Sequence, residues 1–134
     1  MVERHHEGVL DTCAYIDLDL LDPVTLPNFP LLTAVTLAEL QQGVAMAKGP
    51  VARAERFERL TTADAEFDPL PFDRDAAARF GTLVALTTEA GRDPRPRRMD
   101  LMIAAIASAR GLPLYTRNVD DFKGLERALA VVAV

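Results

Sequence analysis

Tryptophan is absent from this chain, and cysteine occurs once, at Cys13. A lone cysteine excludes an intramolecular disulfide and any zinc site built from cysteines. It points to a reducing compartment, and a cytoplasmic location is expected. Histidine is nearly as scarce. His5 and His6 stand in the polar start of the chain, far from the other candidate ligands in the pattern, and are read as incidental. No apolar run approaches the length that spans a bilayer, so no membrane association is expected. Met1 to Glu7 is polar and holds no apolar core of a signal peptide, so residues 1–7 are read as a flexible N-terminal tail. Neither a Gly-x-Gly-x-x-Gly nor a Gly-x-x-x-x-Gly-Lys segment occurs, which leaves nucleotide-cofactor binding without support.

What is present is a chain of 134 residues, 49% apolar. That suits one domain, 1–134, with a core built from Leu, Val, Ala, Ile and Phe. The net charge of −5 weighs against a nucleic-acid partner, which normally meets a basic face. Yet Arg92, Arg95, Arg97 and Arg98 crowd one loop. Divalent cations would also cancel part of an acidic cluster.

Short apolar runs alternate with longer helical stretches. Val9 and Leu10 end a first strand, and a short helix follows from about Thr12. Cys13 is read there as a small residue that packs. Leu31 to Ala34 reads as a second strand. Thr36 to Ala47 has helical periodicity, with Leu37, Leu40 and Val44 on one face. Val51 to Thr62 is a charged helix anchored by Phe57 and Leu60. Leu70 to Phe72 is a brief third strand, and Asp73 opens a long helix that Gly91 stops. After the basic loop, Asp100 opens a helix, Leu101 to Arg110, that is apolar nearly all round and so buried. Leu114 to Thr116 is a fourth strand, Asp120 to Leu125 a turn or short helix, and Ala130 to Val134 a last strand. Strands alternating with helices predict a three-layer α/β/α fold on a central parallel sheet of about four to five strands.

Four acids share one kind of place. Asp11 follows the first strand, Glu39 lies early in the helix after the second, Asp100 opens the buried helix, and Asp121 lies beyond the fourth strand. The carboxyl ends of strands in an open parallel sheet form the crevice where ligands bind. Carboxylates gathered there repel one another. A hard divalent cation with oxygen ligands and several retained waters relieves that repulsion and suits phosphodiester hydrolysis. Each acid also has a structural role to fill. Thr36 and Glu39 read as a capping box, Asp11 and Asp100 as N-caps, and Asp121 as a turn residue.

Val9-Leu10-Asp11-Thr12, Thr36-Leu37-Ala38-Glu39-Leu40, Asp100-Leu101-Met102-Ile103-Ala104-Ala105 and Thr116-Arg117-Asn118-Val119-Asp120-Asp121-Phe122 together resemble PIN-domain proteins. The likeness is closer to the VapC-type toxins of bacterial toxin–antitoxin pairs, and it spans nearly the whole chain in the family's order. It implies a Mg²⁺-dependent endoribonuclease, with Mn²⁺ as a substitute, that cuts a transfer or ribosomal RNA loop. It implies inhibition by a cognate VapB-type antitoxin, and a homodimer. Asp11, Glu39 and Asp100 match the family's three acidic positions, Asp11 and Asp100 as the main metal ligands. Asp121 matches the fourth; in some relatives that acid stands where Asn118 stands here, and Asp120 is its neighbour. Thr116 and Asn118 are expected to support the carboxylates. Arg92, Arg95, Arg97, Arg98 and Arg117 are expected to grip RNA phosphates. Two other readings stand beside this one: a catalytically silent PIN-like interaction module, and a PIN-type nuclease acting on DNA.

Overall fold

The computed structural model describes residues 4–134. These form four strands and five α-helices. In chain order they are β1 (Glu7–Leu10), α1 (Thr12–Ile16), β2 (Phe29–Leu31), α2 (Ala34–Ala45), α3 (Pro50–Glu66), α4 (Arg74–Glu89), α5 (Arg98–Ala109), β3 (Leu114–Thr116) and β4 (Val131–Ala133). The strands are all parallel, in the order β2-β1-β3-β4. Among the described residues no helix is long and apolar enough to cross a membrane.

Alternation along the inner strands builds two cores. Val9 and Leu114 point to one face, where they pack with Leu83, Leu101, Ile103 and Phe122. Leu10 and Tyr115 point to the other, where they meet Ala14, Leu32, Leu40 and Leu60. Inner strands buried on both faces need apolar residues at successive positions, which is why Val9-Leu10 and Leu114-Tyr115 are unbroken pairs. α4 and α5 therefore cover one face, and α1, α2 and α3 the other. This is the expected three-layer α/β/α architecture. α5 is the most buried helix, with seven residues from Leu101 to Ser108 inside. It ends in a Schellman arrangement. Leu112 N–H donates to the Ala107 carbonyl and Gly111 N–H to that of Ser108, with Gly111 at φ 66°, where a side chain would be strained.

Several boundaries differ from the reading of the sequence. The second strand ends at Leu31, and Ala34 already belongs to α2. Leu70 makes only a single bridge, to Thr33, and no third strand forms at 70–72. In α3, Leu60 and Ala63 are the buried anchors, whereas Phe57 is 55% exposed. The alternating charges around Phe57 leave it on the solvent face. The tail also differs where it is described. Arg4 Nε donates to the Leu26 carbonyl at 2.8 Å. The carbonyls of His5 and His6 accept from Asn28 and Phe29 N–H, so residues 4–7 are tied to the β2 side of the sheet. The His6 ring lies edge-on to Phe29. The first three residues lie outside the described residues.

The chain runs from β1 out to β2 and returns to place β3 on the other side of β1. The crevice at such a reversal is open, because the connections leave it in opposite directions. Asp11 follows β1 directly, and Thr116 ends β3 beside it.

Candidate active site

Asp11 is 5% exposed. Its backbone N–H donates to the Tyr115 carbonyl, which fixes it to β3, and its Oδ1 accepts from Ala14 N–H at 2.8 Å. It is therefore the N-cap of α1, as its capping reading holds. Burial pushes its carboxyl above the usual carboxylate range, against a hydrogen bond from Thr116. Thr116 is fully buried, and its Oγ1 accepts from Asn118 N–H at 3.0 Å. Both expected supporting residues thus meet here, Asn118 through its backbone. With Asn118 N–H as its donor, the Thr116 hydroxyl is free to give its own proton to Asp11.

Glu39 is not part of a capping box. The N-cap of α2 is Thr33, whose side chain accepts from Thr36 N–H. Glu39 consequently sits in the second turn, too far from the cap to close it. Its Oε1 instead accepts from Thr12 Oγ1 at 2.6 Å. Thr12 Oγ1 also lies 3.0 Å from Thr36 Oγ1. Neither threonine is singled out by the sequence reading as a site residue. Their signal is that each stands beside or one helical turn before a site acid.

Asp100 is not an N-cap either. α5 begins at Arg98, because the turn Arg95–Arg97 runs directly into it, and Arg97 occupies the cap position without a side-chain bond. Asp100 lies in the first turn, where the helix dipole favours an anion. Its pKa is nevertheless raised to about 6, first by burial, then by Glu39, Asp11 and Asp121, with only Arg97 opposing. Three acids distant in sequence thus act on the Asp100 carboxyl. Asp121 belongs to the 3₁₀ turn Val119–Phe122. Arg97 Nη1 donates to its carbonyl at 3.1 Å and lies 3.4 Å from its Oδ1. Asp120 is exposed, and its carbonyl accepts from Arg92.

Cys13 is exposed at the rim instead of packed. Its thiol is pushed up by partial desolvation and by the nearby Asp11, Asp100, Glu39 and Asp17, which makes it a poor nucleophile. The arginines are mostly engaged. Arg95 pairs with Asp93, Arg97 with Asp121 and Arg117 with Asp17, while Arg92 reaches backbone carbonyls. Arg98 is exposed and makes no ion pair among the described residues.

Among the described residues, no three acidic, histidine or cysteine side chains form a ready-made metal cage. The donor set still fits a hard cation. All the ligand atoms are carboxylate oxygens, they repel one another, and Mg²⁺ needs only one or two protein carboxylates beside its waters. Asp11, Glu39, Asp100 and Asp121 are the carboxylates that such a cation would meet at the crevice.

No family model matches the chain. Among curated proteins, it is 41% identical to Ribonuclease VapC5 of Mycobacterium tuberculosis over 127 residues, covering 92% of this chain and 91% of the relative. The chain belongs to the VapC family of PIN-domain toxins. It is also 32% identical to Ribonuclease VapC4 of the same organism, over 84% of this chain and 87% of that one. Among solved structures, the VapBC-5 toxin–antitoxin structure from M. tuberculosis matches with a TM-score of 0.85 at 39% identity, covering 96% of this chain and 99% of that one. FitAcB from Neisseria gonorrhoeae matches with a TM-score of 0.69 at 27% identity, covering 92% and 95%.

Proposed function

We propose that this VapC protein is a Mg²⁺- or Mn²⁺-dependent endoribonuclease of the cytoplasm. It cuts a single-stranded loop of a structured RNA, transfer or ribosomal, and a cognate VapB-type antitoxin holds it inactive. One observation carries the reading: Asp11, Glu39 and Asp121 all raise the pKa of Asp100 at the open crevice of the sheet. Such mutual repulsion costs stability, and a set of acids used only for caps and turns would have no need of it. The relatives named as ribonucleases support the choice of RNA.

Asp11 and Asp100 would hold the cation, which when bound supplies charge neutralisation at the phosphoryl oxygens and a more acidic water. The chain's own residues set the frame. Thr116 holds Asp11, Thr12 holds Glu39, and Arg97 holds the segment that bears Asp121. Arg98 is the exposed cation placed to meet a phosphate, two residues before Asp100. The antitoxin reading draws on the VapBC-5 complex and on a cleft of about 280 Å³ beside the site, lined by Ile16, Glu39, Leu40, Gly43, Arg56 and Arg59. Ile16 and Leu40 with Glu39, Arg56 and Arg59 give it a mixed apolar and charged lining, of the kind that receives amphipathic partner segments. A homodimer completes the proposal.

The test is cleavage of total transfer and ribosomal RNA with Mn²⁺ present. Asp11→Asn keeps shape and removes charge, and cleavage falls by about 100-fold or more. Undiminished cleavage by this variant would sink the assignment.

A further inference from the structure

Threonines inside helices usually satisfy their hydroxyls on the carbonyl one turn back. Thr87 and Thr88 of α4 do so, donating to Leu83 and Val84. Thr36 of α2 does not. It is fully buried, and its Oγ1 turns across to Thr12 Oγ1 of α1 at 3.0 Å. Thr12 Oγ1 in turn stands 2.6 Å from Glu39 Oε1. A carboxylate only accepts, and a hydroxyl has one proton to give. The Thr12 proton is therefore committed to Glu39, and the proton between the two threonines must come from Thr36.

We propose that Thr36 and Thr12 form a directional hydroxyl relay that positions the Glu39 carboxylate. Thr12 touches the acid, whereas Thr36 acts through Thr12, and both are positioning residues. The relay crosses from α2 to α1, one residue after Asp11, so it also sets how Asp11 and Glu39 stand to each other. Each hydroxyl polarises the next, which strengthens the bond to Glu39 beyond what one isolated hydroxyl supplies. With Oε1 engaged, Oε2 is the oxygen left for the cation or its water. This role rests on the proposed metal-dependent reaction.

The test is a double-mutant cycle of Thr12→Val and Thr36→Val on the full chain, with Thr12→Ser and Thr36→Ser as rescues. It is run on Mn²⁺ affinity by titration calorimetry and on the urea midpoint in EDTA. Thr36→Val is expected to weaken Mn²⁺ binding by about 10-fold, as loss of an outer support does. It lowers kcat and leaves KM nearly unchanged, and Thr36→Ser restores both. The double variant loses no more than Thr12→Val alone. Wild-type Mn²⁺ affinity in Thr36→Val, or losses that simply add, would overturn the relay. If Thr36→Val lacks the near-ultraviolet spectrum of the folded protein, Thr36→Ala takes its place in the cycle. A wild-type protein that binds no Mn²⁺ would bring down the metal reading instead. The urea cycle in EDTA would then still decide the relay, with additive losses against it.

Discussion

Arg97 ties the first turn of α5 to the 3₁₀ turn that bears Asp121. One guanidinium nitrogen meets both the Asp121 carbonyl, at 3.1 Å, and its carboxylate, at 3.4 Å. Arg97 is the residue before α5, and Asp100 is in that helix's first turn. The contact therefore joins two acid-bearing segments. It also separates Arg97 from its neighbour Arg98, although both are expected from the sequence to grip RNA phosphates.

The two arginines should part in a salt titration of RNA affinity, made in Ca²⁺ to suppress cleavage. Arg98→Ala is expected to reduce the slope of log affinity against log salt by about 0.7, one phosphate contact on a single strand. Arg97→Gln should leave the slope unchanged. It should lower stability by about 1 kcal/mol through the lost charge-assisted bond, read from the urea midpoint. Equal slopes for wild type and Arg98→Ala would show that Arg98 is merely solvated.

The α/β layering and the positions of the four acids are legible in the sequence for one reason. Strands buried on both faces leave continuous apolar runs; Asp11 stands directly after the first, and Glu39, Asp100 and Asp121 lie in early turns of the elements around them. The caps of α2 and α5 are not legible, although Asp11 caps α1 as read. Thr33 and Thr36 are both good N-caps three residues apart, and only the tertiary contact with Thr12 decides that Thr36 turns away and Thr33 caps. Asp100 looks like a helix start because apolar residues follow it. The turn Arg95–Arg97 winds the chain early, and α5 begins three residues sooner, at Arg98 instead of Leu101. Cys13 and Phe57 show the same limit. A single residue's side of a short or charged helix depends on what packs beside it.

Gly8 marks a close approach in β1. A Cβ there would lie 2.4 Å and 2.7 Å from the Tyr115 ring and 3.2 Å from Pro27 Cβ. Tyr115 is 2% exposed and has no room to swing away. Gly8→Ala should therefore destabilise the protein by about 1–3 kcal/mol, the usual cost of overpacking a filled core. Thermal melting is the measurement, and an unchanged midpoint would contradict the packing.

Gly43 lines the same cleft as Ile16 and Leu40, and it has a distinct part in the antitoxin reading. A Cβ on Gly43 meets only Arg56 Cδ, at 3.9 Å, so the folded chain tolerates a larger residue. Gly43→Leu should leave the melting midpoint of the free protein nearly unchanged while filling the cleft. Co-expressed antitoxin should then co-purify in reduced amount. Full co-purification would place the antitoxin elsewhere on the surface.

The raised pKa of Asp100 carries a stability signature with a definite sign. In the unfolded chain this carboxyl titrates near 3.8, and in the folded protein near 6. Between those values the folded state binds the proton and the unfolded state does not. Protonation thus favours folding, and the contribution of Asp100 falls as pH rises from about 4 through about 6, then stays level. Other acids also titrate there, so the informative quantity is the difference between wild type and Asp100→Asn, measured in EDTA. The variant should melt higher than wild type at pH 7, where the wild-type charge is buried among Glu39, Asp11 and Asp121. The gap should narrow as pH drops below 6, because the wild-type carboxyl then becomes neutral as well. Saturating Mn²⁺ should reverse the order at pH 7, since a bound cation turns the repulsive charge into a ligand. A gap that does not change between pH 4 and pH 7 would mean that Asp100 titrates as an ordinary surface acid, and the crevice would not be the charged site described.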